Sequence, residues 1–205
     1  FIDREDAGRQ LAAELLKYAG KGTVIYALPR GGVVVGWEVA RALAAPLDLI
    51  IPRKIGHPLN PEYAVCAVAE TGELFCNESE KASLPPDWLR QAAEREKKES
   101  SRRRELYLAG RERISAAGKT AIVVDDGIAT GLTMHAAILS LVKEKPTKVV
   151  VAVPAAPSEA VHDLKKEADE VIALISGRDY LGAVGAHYDD FPQISDKEVL
   201  NLMHT

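Results

Sequence analysis

Two adjacent carboxylates, Asp125 and Asp126, stand directly before a run of small and hydroxyl-bearing residues: Gly127, Ile128, Ala129, Thr130, Gly131, Leu132 and Thr133. Carboxylates side by side are suited to accept hydrogen bonds from neutral hydroxyls. The small residues behind them let the backbone curl close to a ligand, so that several N–H groups can converge on one anion. Thr130 and Thr133 add hydroxyl donors. The stretch is therefore bipolar, with acceptors for hydroxyls beside a nest of donors for a phosphate. A sugar phosphate suits both halves.

The elements on either side place this chemistry. Residues 121–124, four apolar side chains rich in β-branching, read as a strand buried on both faces, as in the centre of a parallel sheet. Such sheets bind ligands just beyond the carboxyl ends of their strands, where the acids fall. After the turn, Met134, Ala137, Ile138, Leu141 and Val142 repeat at helical spacing. The small-residue turn thus opens a helix whose positive end faces an anion. A Walker-type phosphate loop needs a Lys before its final Ser/Thr, and Leu132 stands there instead. A haloacid-dehalogenase-like nucleophile would use acids spaced one residue apart.

The segment VVDDGIATGLT resembles the phosphoribosyl diphosphate (PRPP) motif of the type I phosphoribosyltransferases. The resemblance implies that Asp125 and Asp126 hold the ribose hydroxyls and that residues 127–133 cradle the 5-phosphate. It further implies transfer of ribose 5-phosphate from PRPP to a small, nucleobase-like acceptor with release of pyrophosphate. Mg²⁺ is then expected as cofactor, carried mainly by PRPP and pyrophosphate, with no dedicated protein ligand. A sensor of PRPP or nucleotide that keeps the site without turnover is the alternative on the same fold. Family members acting on 6-oxopurines carry an acid where this chain has Ala129.

A second loop supports the resemblance. Residues 23–28 read as a buried strand, and Pro29, Arg30, Gly31 and Gly32 form a tight turn before a helix bearing Val35, Val39, Ala42 and Leu43. Read from the residues alone, this is as much an ordinary turn with a surface Arg as a phosphate site, although Arg30 offers a planar charged fork. The resemblance assigns it to the leaving pyrophosphate, makes Arg30 a catalytic candidate with the two acids, and suggests a cis bond at Pro29–Arg30. Arg53 and Lys54 follow the next strand, residues 47–51, and are expected to face the same crevice.

The rest of the chain reads as one α/β domain, residues 1–205, with a mostly parallel central sheet flanked by helices. Asp3 should cap a first helix carrying Ala7, Leu11 and Leu15. A cover spans about residues 56–117: hairpin strands at 64–69 and 73–77, then a long helix at 87–107. That helix has no apolar residue between Glu94 and Glu105 and is expected to be solvated, held by Glu94–Lys98 and Glu99–Arg103 pairs. A sharper reading lets Arg102, Arg103 or Arg104 reach pyrophosphate on closure. His57 is a loop residue of minor, accessory interest. Strands at 149–153 and 171–175 flank a helix capped by Ser158. A hood follows at about 176–205, with a capping box from Ser195 to Glu198. The resemblance makes its aromatics Tyr180, Tyr188 and Phe191 the candidates for contacting the acceptor, while read from the residues alone they equally form a satellite cluster that seals the sheet edge.

With 205 residues and a net charge of -4, the composition argues against a dedicated nucleic-acid or membrane-surface protein. No apolar run approaches the roughly 20 residues of a membrane helix, and FIDREDAGRQ lacks the layout of a signal peptide. A cytoplasmic protein is expected, with homo-oligomerisation left open by the sequence. Cys66 and Cys76 flank a probable turn at 70–72 and could face each other. Two free, packed thiols are the expectation in a reducing compartment.

Overall fold

The structure, a computed structural model, describes residues 1–20 and 22–204. Its centre is a five-stranded sheet of β1 (Thr23–Ala27), β2 (Leu47–Leu49), β6 (Thr120–Val124), β7 (Lys148–Ala155) and β8 (Glu170–Ile175). The order is β2-β1-β6-β7-β8, and every pairing is parallel. The α/β class read from the sequence is the observed one.

Alternation along the strands divides the core. Val24, Tyr26, Ala121, Val123, Val149 and Val151 face α5 (Leu132–Val142) and pack on Met134, Ala137, Ile138 and Leu141. Ile25, Ile122, Val124, Val150 and Ala152 face α1 (Arg4–Leu15) and α2 (Gly31–Leu43), meeting Leu11, Leu15, Val35, Val39 and Leu43. Ala42, expected on the packed face of α2, is exposed, and Ala40 is buried in its place. Asp3 caps α1 by accepting from the Asp6 amide at 2.7 Å. Pro157 rather than Ser158 is the residue before α6 (Ser158–Leu164).

A second sheet, β3-β4-β5, is antiparallel: β3 (Arg53–His57), β4 (Asn60–Val68) and β5 (Leu74–Cys76). Strand β3 was not expected, since residues 53–57 read as loop; only Ile55 in it is buried. Cys66 and Cys76 lie opposite each other in the β4–β5 register and form a disulfide. The expectation of two free thiols is thus corrected: the register places their side chains on one face at neighbouring positions, with Cα atoms 4.0 Å apart. A short helix, α3 (Glu78–Lys81), leads to the long α4 (Pro86–Leu108).

The expectation that α4 is solvated holds for most of residues 94–105, where the expected Glu99–Arg103 pair forms, and is corrected at Ser100 and at the two ends of the helix. Leu89, Ala92, Ala93, Ser100, Tyr107 and Leu108 are buried. Its middle packs through polar groups instead of apolar ones: Ser100 is fully buried and donates from Oγ to the Ile51 carbonyl at 2.5 Å. The chain closes with α7 (Asp196–Met203), headed by the expected Ser195–Glu198 capping box.

Candidate active site

Strand order fixes where a ligand can enter. From β1 the chain moves outward to β2, whereas from β6 it moves the other way through β7 to β8. The carboxyl ends of β1 and β6 therefore flank a topological switch point, the place where open α/β sheets take their ligands. The turn after β1 holds residues 28–30 and runs straight into Gly31 and Gly32 at the start of α2, and the turn after β6 holds 125–131.

The two turns touch. A β-carbon on Gly31 would lie 1.8 Å from Asp126 Oδ2, and one on Gly32 would lie 2.9 Å from both Asp125 Cα and Oδ1. Only a residue without a side chain fits at either place. The Pro29–Arg30 bond is cis. Gly131, at φ +81°, precedes α5 as its N-cap, and Gly127 at φ +155° lies where an added β-carbon would meet Val184 at 2.4 Å. The loop is thus shaped by glycines at its two ends and points its last turn at the N-terminus of α5.

A cleft of about 290 Å³ lies over this loop. Asp125, Asp126, Gly127, Ile128, Ala129, Thr130, Gly131 and Thr133 line it, with Lys54 from β3 and Arg4, Val184 and Phe191 closing the sides. Burial first, and the charge of Asp126 second, push the Asp125 carboxyl well above the usual carboxylate range, with Lys54 opposing them. Asp125 Oδ1 also accepts from the Asp126 amide at 2.8 Å.

Other expected residues are placed elsewhere. Arg30 pairs with Asp196 of α7, its guanidinium nitrogen 3.5 Å from the carboxylate, and does not line the cleft. Arg53 pairs with Glu96 of α4 at 3.2 Å. Leu132 is buried among Ala67, Ala69 and Ala136, turned away under the second sheet. Beside it His135 bonds Glu167 through Nδ1 at 2.9 Å and stacks on Phe75 at 4.1 Å. His57 Nδ1 accepts from the Leu59 amide within the β3–β4 turn.

The three consecutive arginines of α4 are held away from the crevice. Arg102 and Arg103 pair with Glu99, and Arg104 grips Asp48 at 3.1 Å, Glu70 at 3.4 Å and the Leu49 carbonyl at 2.9 Å. The aromatics of residues 176–204 brace the loop. Tyr188 donates to the Asp126 carbonyl and Tyr180 to the Ile128 carbonyl, at 2.6 and 3.1 Å. Phe191 stacks on Tyr188 at 4.7 Å and carries the Arg4 guanidinium on its face.

Arg4 was not anticipated. Its Nε donates to Asp126 Oδ2 at 2.8 Å. A charge at the first position of a remote helix carries no local mark of that partnership, so only the folded chain displays it.

The chain belongs to the phosphoribosyl transferase domain family, whose model matches residues 2–190. It is 43% identical over 205 residues to a Mycobacterium tuberculosis (strain ATCC 25618 / H37Rv) protein that carries a provisional name as a phosphoribosyl transferase. That match covers 99% of this chain and 46% of the other, so the chain spans about half the length of the curated relatives it matches. The crystal structure of the Thermus thermophilus protein TT1426 is similar at 42% identity and a TM-score of 0.83, covering 99% of this chain and 97% of that one. A purine phosphoribosyltransferase from Pyrococcus horikoshii Ot3 shares the fold, with a TM-score of 0.51 at 16% identity over 94% of this chain and 93% of its own.

Proposed function

We propose that this chain is a phosphoribosyltransferase that moves ribose 5-phosphate from PRPP to a small-molecule acceptor and releases pyrophosphate. One observation carries the proposal: at a single switch point, an acid pair meets both a glycine-shaped loop on a helix N-terminus and a second glycine turn. In this reading residues 129–133 take the 5-phosphate on backbone N–H groups and the hydroxyls of Thr130 and Thr133; the Ile128 amide, expected among them, instead donates to the Ala155 carbonyl at 2.8 Å. The acids accept from the ribose hydroxyls.

As the bond from the anomeric carbon to the pyrophosphate oxygen breaks and the bond to the acceptor forms, positive charge gathers on the ring. In this reading the carboxylates stabilise it. Lys54 offers a cation to the leaving oxygens, while the 29–32 turn supplies its backbone. The donor set suits Mg²⁺ borne on the diphosphate's own oxygens: Asp126 is engaged by Arg4, and one Asp125 oxygen is taken by an amide. When bound, Mg²⁺ would supply charge neutralisation for the departing pyrophosphate. The chain's own part is to orient the sugar and exclude water.

A second reading, a sensor that binds PRPP without turnover, is favoured by one feature: Arg30 and Arg53 are both paired to carboxylates away from the cleft. One experiment separates the two. With PRPP, Mg²⁺ and a panel of nucleobases, release of pyrophosphate dependent on one base supports the transferase; tight PRPP binding with no release supports the sensor. Absence of PRPP binding would sink both.

A further inference from the structure

Arg4 ties together parts of the site that are distant in sequence. Its side chain is 8% exposed and that of Asp126 is 18% exposed. Besides the bond to Asp126, its Nη1 donates to the Pro192 carbonyl at 2.7 Å, and its Cζ lies 3.7 Å from the centre of the Phe191 ring. An added β-carbon on Gly31 would come within 2.9 Å of Arg4 Nε. The pair is therefore pressed against the turn after β1 on one side and the C-terminal segment on the other.

Such a pair is a poor device for stability alone, since removing both charges from water offsets most of their attraction. What a guanidinium adds is direction: its rigid plane bonds two oxygens from different segments at once, so that each is held relative to the other. Here the first oxygen belongs to an acid that lines the cleft, and the second to the backbone of the segment covering it.

We propose that Arg4 is a positioning residue, holding Asp126 in the orientation that receives a sugar hydroxyl and fastening the C-terminal cover to that acid. This rests on the sugar-phosphate reading of the site. It places a determinant of pentose recognition on α1, outside both ligand loops.

Calorimetric titration with two probes tests it: ribose 5-phosphate, and methyl phosphate, which keeps the phosphate but has no hydroxyls. Arg4→Met should weaken ribose 5-phosphate by about tenfold to a hundredfold, the size of one lost charge-assisted hydrogen bond. Methyl phosphate should be unaffected. Arg4→Lys, which keeps the charge but not the fork, should fall between wild type and Arg4→Met. Added to Asp126→Asn, Arg4→Met should cause no further loss. Equal weakening of both probes, or an additive loss on the Asp126→Asn background, would overturn the role of Arg4 and leave the site reading intact. Failure of the wild type to bind ribose 5-phosphate would overturn the site reading itself. Should Arg4→Met not fold, the selective loss is read from Arg4→Lys, and an unchanged ratio of the two affinities there overturns the proposal.

Discussion

Tyr188 and Asp126 are joined by a hydrogen bond that runs to the backbone, the phenol donating to the Asp126 carbonyl at 2.6 Å. Burial, then the nearby charge of Asp126, raises the phenol's pKa, so it stays a donor throughout the neutral range. Tyr188→Phe keeps the ring and its stacking but orphans that carbonyl. A fully buried acceptor left without a partner costs about 1–3 kcal/mol; for this half-buried carbonyl the lower end applies, and each kcal/mol lowers Tm by about 2–4 °C in a chain of this size. Thermal unfolding should show the drop; an unchanged Tm would mean that the phenol does not brace the loop.

Asp125 gives a prediction with a sign. Its folded-state pKa lies well above the unfolded value near 3.8. As pH rises past that value, the unfolded chain loses the proton first, so the folded state is progressively disfavoured until its own raised pKa has been passed. The ligand-free protein should therefore carry a stability penalty at neutral pH that is absent well below the unfolded pKa. Asp125→Asn removes it, raising Tm at neutral pH relative to wild type while weakening sugar-phosphate binding. A Tm there equal to or below that of wild type would contradict this account.

Gly31 tests the fit of the two turns. Its β-carbon would sit 1.8 Å from Asp126 Oδ2, and Arg4 prevents that carboxylate from simply stepping aside. Gly31→Ala should lower ribose 5-phosphate affinity by at least about tenfold, comparable with losing a hydrogen bond to the acid, with circular dichroism unchanged. Wild-type affinity in the variant would show that the turns have slack.

Thr133 lines the cleft at the start of α5. Thr133→Val removes the hydroxyl at nearly constant shape, so ribose 5-phosphate should bind more weakly and adenosine, which has no phosphate, should not. Equal losses for both ligands in calorimetry would argue against a phosphate cradle.

Ala129 is among the residues lining the cleft, at the position where the resemblance puts an acid in enzymes acting on 6-oxopurines. Proton transfer by a placed side chain contributes about a hundredfold to ten-thousandfold in rate, and Ala129 can neither give nor take a proton. Hypoxanthine and guanine should be poor acceptors relative to the best base in a pyrophosphate-release panel. Turnover of either at the rate of that best base would locate the proton acceptor elsewhere in the cleft.

The strand–loop–helix at 120–142 was legible because its evidence is contiguous: apolar run, acid pair, small residues, then a 3.6-residue period. The same holds for β1 and its turn. What escaped was encoded at long range or in polar form. Arg4 meets Asp126 across 122 residues. Strand β3, with Arg53, Lys54, Gly56 and His57 around one buried Ile55, lacks the alternation that marks a strand. Arg30 and Arg53 were expected at the crevice because they follow strands, yet Asp196 and Glu96, from distant helices, engage them. The aromatics read as either a wall over the acceptor or a cluster sealing the sheet edge, because periodicity carries no information about which way a phenol points.

The polar middle of α4 has an outcome for the sheet as a whole. Among the described residues β2 has a strand neighbour only in β1, so the backbone groups of residues 49 and 51 face outward. Side chains occupy all of them: Asp48 takes the Leu49 amide, Arg104 the Leu49 carbonyl, Glu70 the Ile51 amide and Ser100 the Ile51 carbonyl, at 2.5–2.9 Å. An open edge invites another strand, from the same chain or a neighbouring molecule. Here the backbone groups of residues 49 and 51 are already engaged, by a serine, an arginine and two carboxylates acting as a surrogate strand, and are not free to pair with another chain.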